Sequence, residues 1–455
     1  MSTNTYITIQ SHKKTKQLDV KSLAMFHRIK VIKAIDDNKQ VHYCVCYKQE
    51  FIAVVCEEKH VFPYLERLFS EGIVFENPHP LIHASLPNHP LHLTKSEQHL
   101  QHQLQKRYSP RELLILYPLF NSFIPTAETN KLFETTYYEY RRNGQLRNAF
   151  HVLMLISQVL PNHEWAQDMA ANIEFLKYKS SYETENVLQI KDTLFLELHV
   201  FQNRTLLFPQ LLNLLLQQDR WLDATAVLIE HLQQDNSYYP DFLHLLSKHF
   251  SKTQQAILLY DACKQTPPTD TMGYQLFQAL VTLERYEEAI NITSKYHLTT
   301  VPIEELSTII RNDNLKIEKL NLENLQKYLI EQTEHIDIFV TALLEQLLKV
   351  RDIDWIVKWI QPLKSNKGTA TIVKMLEDIT RLQDEPDEQL QLGKLYYKLH
   401  QFEKALDCFS WEMELDPENY AAVQWVTKTY RELGMNDEYK NYMYFLTHMK
   451  NNQAQ

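Results

Sequence analysis

PDEQLQLGKLYYKLHQFEKALDCFSWEMELDP, residues 386–417, carries two apolar stripes of helical period in 32 residues. Leu392, Leu395, Tyr396 and Leu399 recur at i, i+3, i+4 and i+7, which is the apolar stripe of one helix. Phe402, Ala405, Leu406 and Phe409 make a second stripe that faces back toward the first. The small residues Gly393 and Ala405 let the two helix axes approach closely, and Pro417 stops the second helix. The stretch predicts two helices packed face to face, with a break near 400.

Weaker copies line up on the same small anchor. Ala289 lies in LVTLERYEEAINI with Tyr286 three residues before it and Pro302 near the closing position. Ala256 lies in LLSKHFSKTQQAILLYDACKQTPP, with Tyr260 at the second-helix aromatic position and Pro268 closing. Ala224 follows Trp221, and Ala149 lies between Tyr140 and Pro161. The anchors at 224, 256 and 289 are separated by 32 and 33 residues, and the wider gaps of 75 and 116 suit two and three longer units. Residues 303–333 and 335–365 have helix-pair character without an anchor, and 420–449 keeps Tyr430 while losing the alanine. Such a period is the signature of a stacked array, in which each unit buries its apolar face on its neighbours.

Residues 386–417 resemble a tetratricopeptide repeat: Leu392-Gly393, Tyr396, Phe402, Ala405, Phe409 and Pro417 sit at that motif's spacing. One departure is Glu412, which stands where the motif favours alanine and so loosens packing toward the next unit. The resemblance covers roughly residues 130–450. It implies a mainly α fold, a right-handed solenoid of helical pairs whose first helices line a concave groove that takes a peptide or protein partner. The exposed first-helix positions are then Tyr138, Arg141 and Arg142, Gln210 and Asn213, Gln275 and Gln278, and Gln391, Lys394 and Tyr397. Side-chain amides at this spacing can hydrogen-bond an extended backbone while aromatics hold its side chains. The subtype that clamps a terminal carboxylate needs a Lys and Asn pair, and Leu390 and Lys394 stand at the corresponding positions, which disfavours that chemistry.

Residues 1–95 have another texture. IKVIKAI (29–35), VHYCVCYK (41–48) and EFIAVVCEE (50–58) are short, β-branched and aromatic, and the last two predict a hairpin turning at Lys48-Gln49. A helix fits VFPYLERLFSEG, with Phe62, Leu65, Leu68 and Phe69 on one face and Gly72 as the stop. Four prolines between Pro78 and Pro90 then predict an irregular connection. The expected organisation is a small α+β domain over 1–95, a helical connector over 96–129, tetratricopeptide-like pairs over 130–302, divergent pairs over 303–385, and a C-terminal repeat with capping helices over 386–450.

Composition narrows the chemistry. There are six glycines in 455 residues, where the ordinary share is about 7 %. None are close enough together to build a phosphate-cradling loop, a dinucleotide fingerprint or a nucleophile elbow. The net charge of −10 repels nucleic-acid phosphates, and the ten Lys/Arg against six Asp/Glu in residues 1–60 read as a solvated basic edge. No apolar run approaches a membrane span, and the start MSTNTYITIQSHKKTK lacks the apolar core of a signal peptide. Five cysteines suggest reduced thiols, and the cytosol is the expected compartment.

Histidines and cysteines are the candidate ligating groups. His79, His83, His89, His92, His99 and His102 crowd into one segment, but among prolines and without the rigid mixed ligand set that tight zinc sites use. Cys44 and Cys46 share a strand face; a hairpin at Lys48-Gln49 places Cys46 opposite Phe51, Cys44 opposite Ala53, and Cys56 on the other face. No metal and no cofactor is expected. The acids fall on helix faces, with Glu287-Glu288 and Asp384-Glu385 as examples, and no nucleophile signature occurs. The expectation is a non-catalytic scaffold or adaptor that binds a protein or peptide. Two other readings stand beside it: a peptide-sensing transcriptional or signalling regulator, and an enzyme with its catalytic residues in the N-terminal domain.

Overall fold

A computed structural model describes residues 5–11, 14–56, 63–94, 96–121, 123–182, 189–263, 267–332 and 336–453. The chain is mainly α-helical after an N-terminal sheet, and it divides into two compact units, residues 1–266 and 267–455.

The first unit opens with strands β1 (Tyr6–Ser11), β2 (Lys14–Phe26), β3 (Ile29–Ile35), β4 (Val41–Tyr47) and β5 (Glu50–Cys56), joined in sequence as antiparallel neighbours. Strands β6 (Ile73–Glu76) and β7 (Leu91–His92) complete a seven-stranded sheet among the described residues. β1 and β6 share one edge of the long β2: residues 14–19 pair with β1 and 22–25 with β6, on either side of a bulge at Lys21. β7 runs parallel to β1, and just beyond it Leu93 bridges Val54 of β5, with the Thr94 N–H donating to the Val54 carbonyl at 3.0 Å. The strand path thus returns to its start and the sheet is barrel-like. Both faces of β3 and β4 are largely buried, which accounts for their near-continuous apolar sequence.

The expected hairpin turns at Lys48-Gln49, with Lys48 in the left-handed region at φ 58°. Cys46 lies opposite Phe51, as the sequence predicts. An extra residue in β5, Ile52, then shifts the register, so Cys44 faces Val54 rather than Ala53. The same bulge overturns the expectation for Cys56: it pairs with His42, two positions from Cys44, and so shares the Cys44 face. Helix Pro63–Glu71 buries Leu65 and Leu68 and gives way to the strand at Gly72; Phe62 lies outside the described residues. The proline-rich connection is more ordered than expected. It supplies β6, a helix Pro80–Ser85 and β7, and Pro80 sits at the first helical position, where a missing N–H costs nothing.

Helices occupy the rest of both units. In the first, Thr126–Arg142 packs on Leu146–Val159, Phe208–Gln217 on Trp221–Leu232, and Tyr239–His249 on Lys252–Ala262. In the second, Asp270–Thr282 packs on Tyr286–Tyr296, Gln389–Lys398 on Phe402–Leu415, and Tyr420–Glu432 on Asn436–Gln453. Between them Ile303–Ile310 meets Ile336–Val350, which meets Lys367–Leu382, which meets Gln389–Lys398, so contacts run between near neighbours along the chain.

One turn recurs. The residues at 144, 219, 284, 400 and 434 all have positive φ, between 53° and 75°. In each case the next N–H donates five residues back: Gln145 to Tyr140, Arg220 to Leu215, Arg285 to Leu280, Gln401 to Tyr396 and Met435 to Tyr430, at 2.9–3.0 Å. The positive-φ residue itself donates three back, from Gly144 to Arg141, Asp219 to Leu216, Glu284 to Val281, His400 to Tyr397 and Gly434 to Arg431, at 3.0–3.1 Å. This pair of bonds is the Schellman closure of a helix C-terminus. Four of these turns stand five residues before Ala149, Ala224, Ala289 and Ala405, and each of these alanines has no solvent exposure. The fifth anchor, Ala256, is equally buried but follows a side-chain cap instead: Ser251 and Gln254 form a reciprocal capping box. At the fifth turn, Tyr439 stands where the others have alanine.

Candidate functional site

The ten groove candidates sit on first helices of these pairs, but their surroundings differ. On Thr126–Arg142, Arg142 is exposed, whereas Arg141 is engaged: its Nη1 donates to the Tyr137 hydroxyl at 3.1 Å and its Nη2 pairs with Glu174 at 2.9 Å. The Tyr138 ring meets Tyr137 edge-on with centroids 5.0 Å apart, so this tyrosine is half fixed. Gln210 and Asn213 are exposed together on Phe208–Gln217, three residues apart and thus on one face.

In the second unit, Gln278 is exposed and donates to the Tyr274 hydroxyl at 2.8 Å, which in turn donates to Glu305 at 3.1 Å. Gln275 is half-buried, Gln391 exposed and Lys394 half-buried. Tyr397 is held edge-on by Phe402 and Trp425, both at 5.2 Å. The structure therefore brings Tyr138, Arg141 and Arg142 together, Gln210 with Asn213, Gln275 with Gln278, and Gln391 with Lys394 and Tyr397. Arg142, Gln210, Asn213, Gln278 and Gln391 are the members open to a partner without first leaving the fold. Tyr274 and Glu305 join that surface unannounced, because their link depends on two helices meeting.

A buried charged cluster lies in the first unit, and it was not visible in the sequence. Glu197, on Thr193–Gln202, is almost wholly buried; Arg28 Nε donates to its Oε2 at 2.7 Å and Arg220 Nη1 binds its Oε1. Arg220 also donates to the His27 carbonyl at 2.8 Å and to Asp223 at 3.3 Å, and Lys30 Nζ bonds Asp223 and the Lys48 carbonyl, both at 2.9 Å. Burial opposes ionisation of Glu197, but His27, Arg220 and Arg28 override it and hold the carboxyl down at about 2. Burial likewise drives His27 down to about 3, against the pull of Glu197. These groups therefore tie the β2–β3 turn to helices about 170–190 residues later, with the glutamate ionised and the imidazole neutral near pH 7.

A second buried acid, Asp192, caps helix Thr193–Gln202 by accepting from the Phe195 N–H at 3.2 Å while pairing with Arg111 at 2.5 Å. His151 lies 3.6 Å from the same carboxylate, and burial lowers its proton affinity. In both clusters a buried carboxylate is paired with an arginine, with a histidine beside it.

The histidine-rich segment scatters. His79 is buried, caps Pro80–Ser85 and stacks on Phe75, His83 bonds Thr5 at 3.2 Å, and His89, His92, His99 and His102 are exposed. Among the described residues no group of three His, Cys, Asp or Glu side chains is arranged to hold a metal ion. Burial pushes the Cys46 and Cys408 thiols up to about 11, so both stay protonated near neutrality. Among the described residues no helix is long and apolar enough to cross a membrane. Comparison with known protein families finds none that matches this chain. No curated protein matches it either.

Proposed function

We propose that the helical pairs are tetratricopeptide-like units of a right-handed α-solenoid, and that the protein is a non-catalytic cytosolic scaffold or adaptor whose first-helix faces bind a peptide or protein. The observation that carries this reading is the fivefold Schellman turn, four times followed five residues later by a fully buried alanine. A turn of fixed geometry followed by a small contact residue sets one crossing angle between successive helices. Repetition of that angle is what makes an array curve and gives it a continuous inner face. On their own first helices polar side chains stand at one-turn spacing, Gln210 with Asn213 and Gln275 with Gln278, suited to the amides of an extended segment.

The test begins with partners co-purified from the native cell and identified, followed by calorimetric titration of one of them. Combined substitution Arg142→Glu, Gln210→Ala, Asn213→Ala, Gln278→Ala and Gln391→Ala is expected to weaken binding by about tenfold or more. All five side chains are exposed, so the melting temperature should hardly move. Undiminished affinity in this variant would overturn groove binding.

A further inference from the structure

A cleft of about 440 Å³ opens in the first unit between helix Pro63–Glu71 and the loops that flank Thr126–Arg142 and Leu146–Val159. Its walls are the apolar Pro118, Leu160 and Pro161, and its polar lining includes Tyr64, Arg67 and Asn130. The volume lies within the range of small-molecule pockets. From these walls and donors we infer that the cleft binds a small organic acid: one carboxylate on an apolar ring or chain.

The hydrogen-bond arithmetic of the lining carries the inference. Arg67 spends Nε on Glu71 at 2.7 Å and Nη1 on the Val159 carbonyl at 3.0 Å, which leaves Nη2 without a partner among the described residues. These two bonds fix the plane of the guanidinium before any ligand arrives. The Tyr64 phenol lies beneath it, with the guanidinium carbon 5.9 Å from the ring centre, and its hydroxyl has no described partner either. Burial pushes that phenol's proton affinity up, so it remains a donor throughout the neutral range.

Asn130 follows from the His163 tautomer. His163 Nδ1 accepts from the Ala166 N–H at 3.4 Å, so in the neutral ring Nε2 carries the proton and donates to Asn130 Oδ1 at 3.1 Å. Burial lowers the proton affinity of His163 and keeps the ring neutral. With its oxygen committed to His163, Asn130, which lines the cleft, has its NH2 group left to donate. The polar side of the cleft holds the Arg67 guanidinium, the Asn130 amide and the Tyr64 phenol beside two further asparagines and two threonines, and no Asp or Glu is among its described lining residues. A donor set of this kind with a fixed guanidinium suits a carboxylate, and the apolar walls suit its hydrocarbon part.

The test is calorimetric titration of the full chain with 4-phenylbutyrate and octanoate, each beside its primary amide. The acids are expected to bind about tenfold or more tightly than the amides. Arg67→Gln should abolish that preference, and Tyr64→Phe, which keeps the packing of the ring, should weaken the acids by about three- to tenfold. Acetyl-Ala-Phe and its amide separate the two sources of such a group: tighter binding of this peptide than of the simple acids assigns the cleft to a polypeptide end, the reverse to a small metabolite-sized acid. Equal binding of acids and amides, no binding at millimolar acid, or an acid preference that survives both substitutions would overturn the inference.

Discussion

Gly393 and Phe409 fit together with no room for a methyl group: a Cβ on Gly393 would lie 2.5 Å from Phe409 Cε1 and 2.7 Å from its Cδ1. Phe409 is fully buried, so its ring cannot swing away. Alanine is the better helix former by about 1 kcal/mol, yet Gly393→Ala is expected to destabilise, because overpacking costs about 1–3 kcal/mol. Ala405→Arg, at the neighbouring contact, should cost at least as much. Urea unfolding of the full chain reads both, and a gain in stability for Gly393→Ala would show that the two helices can part cheaply.

The recurrent turn makes a prediction of opposite sign. Glu284 holds a left-handed conformation at φ 56°, which side chains adopt at a cost, and it is exposed. Glu284→Gly is therefore expected to stabilise by about 0.5–1 kcal/mol. Gly144, with φ 71° and nothing near its missing Cβ, supplies the control: Gly144→Ala should lose about 1 kcal/mol from backbone strain alone. Thermal melts of the two variants should move in opposite directions.

Arg220 reaches Glu197, Asp223 and the His27 carbonyl at once. Its truncation leaves Glu197 with Arg28 and Asp223 with Lys30 as their remaining cations, so Arg220→Ala should destabilise toward the lower end of the about 3–5 kcal/mol that breaking a buried pair costs. Arg142→Ala, at an exposed arginine, should stay within about 0.5 kcal/mol of wild type. Equal effects in chemical denaturation would mean that the cluster contributes nothing to holding the sheet and helices together.

Acid should loosen the same cluster in two steps. His27 takes its proton at about 6.5 in the unfolded chain and only at about 3 when folded, so stability falls as pH drops below 6.5. Glu197 shifts from 4.5 to about 2, so a second loss begins below 4.5 and is complete near 2. Together they amount to several kcal/mol at most. Urea midpoints measured from pH 7 to pH 4 should decline, and His27→Gln should flatten the part between 6.5 and 4.5. A slope that His27→Gln leaves unchanged would assign the acid sensitivity elsewhere.

The helices and their buried alanines were legible because a small residue in an apolar stripe leaves a periodic mark. The hairpin at Lys48-Gln49 was legible for the same local reason. β1 and β2 escaped notice: TYITIQ and KTKQLDVKSL mix lysine, glutamine and aspartate into strands that are half polar. The face of Cys56 was misjudged because one bulged residue, Ile52, reverses the alternation beyond it. Three of the five Schellman turns place Asp219, Glu284 and His400 at the position where glycine would have announced them. The charged cluster joins Arg28 to Glu197 and Lys30 to Asp223, pairs that no window along the chain can hold. The cleft at Arg67 was missed for the same reason, since Asn130 acquires its role only through His163.

The five equivalent turns are closed by peptide groups alone, with glycine, aspartate, glutamate and histidine taking the same place. Geometry at these joints is consequently written in atoms that substitution does not touch. The side chains there can change charge while the closing N–H and carbonyl groups stay the same, so the surface chemistry at each joint varies independently of the hydrogen bonds that form it.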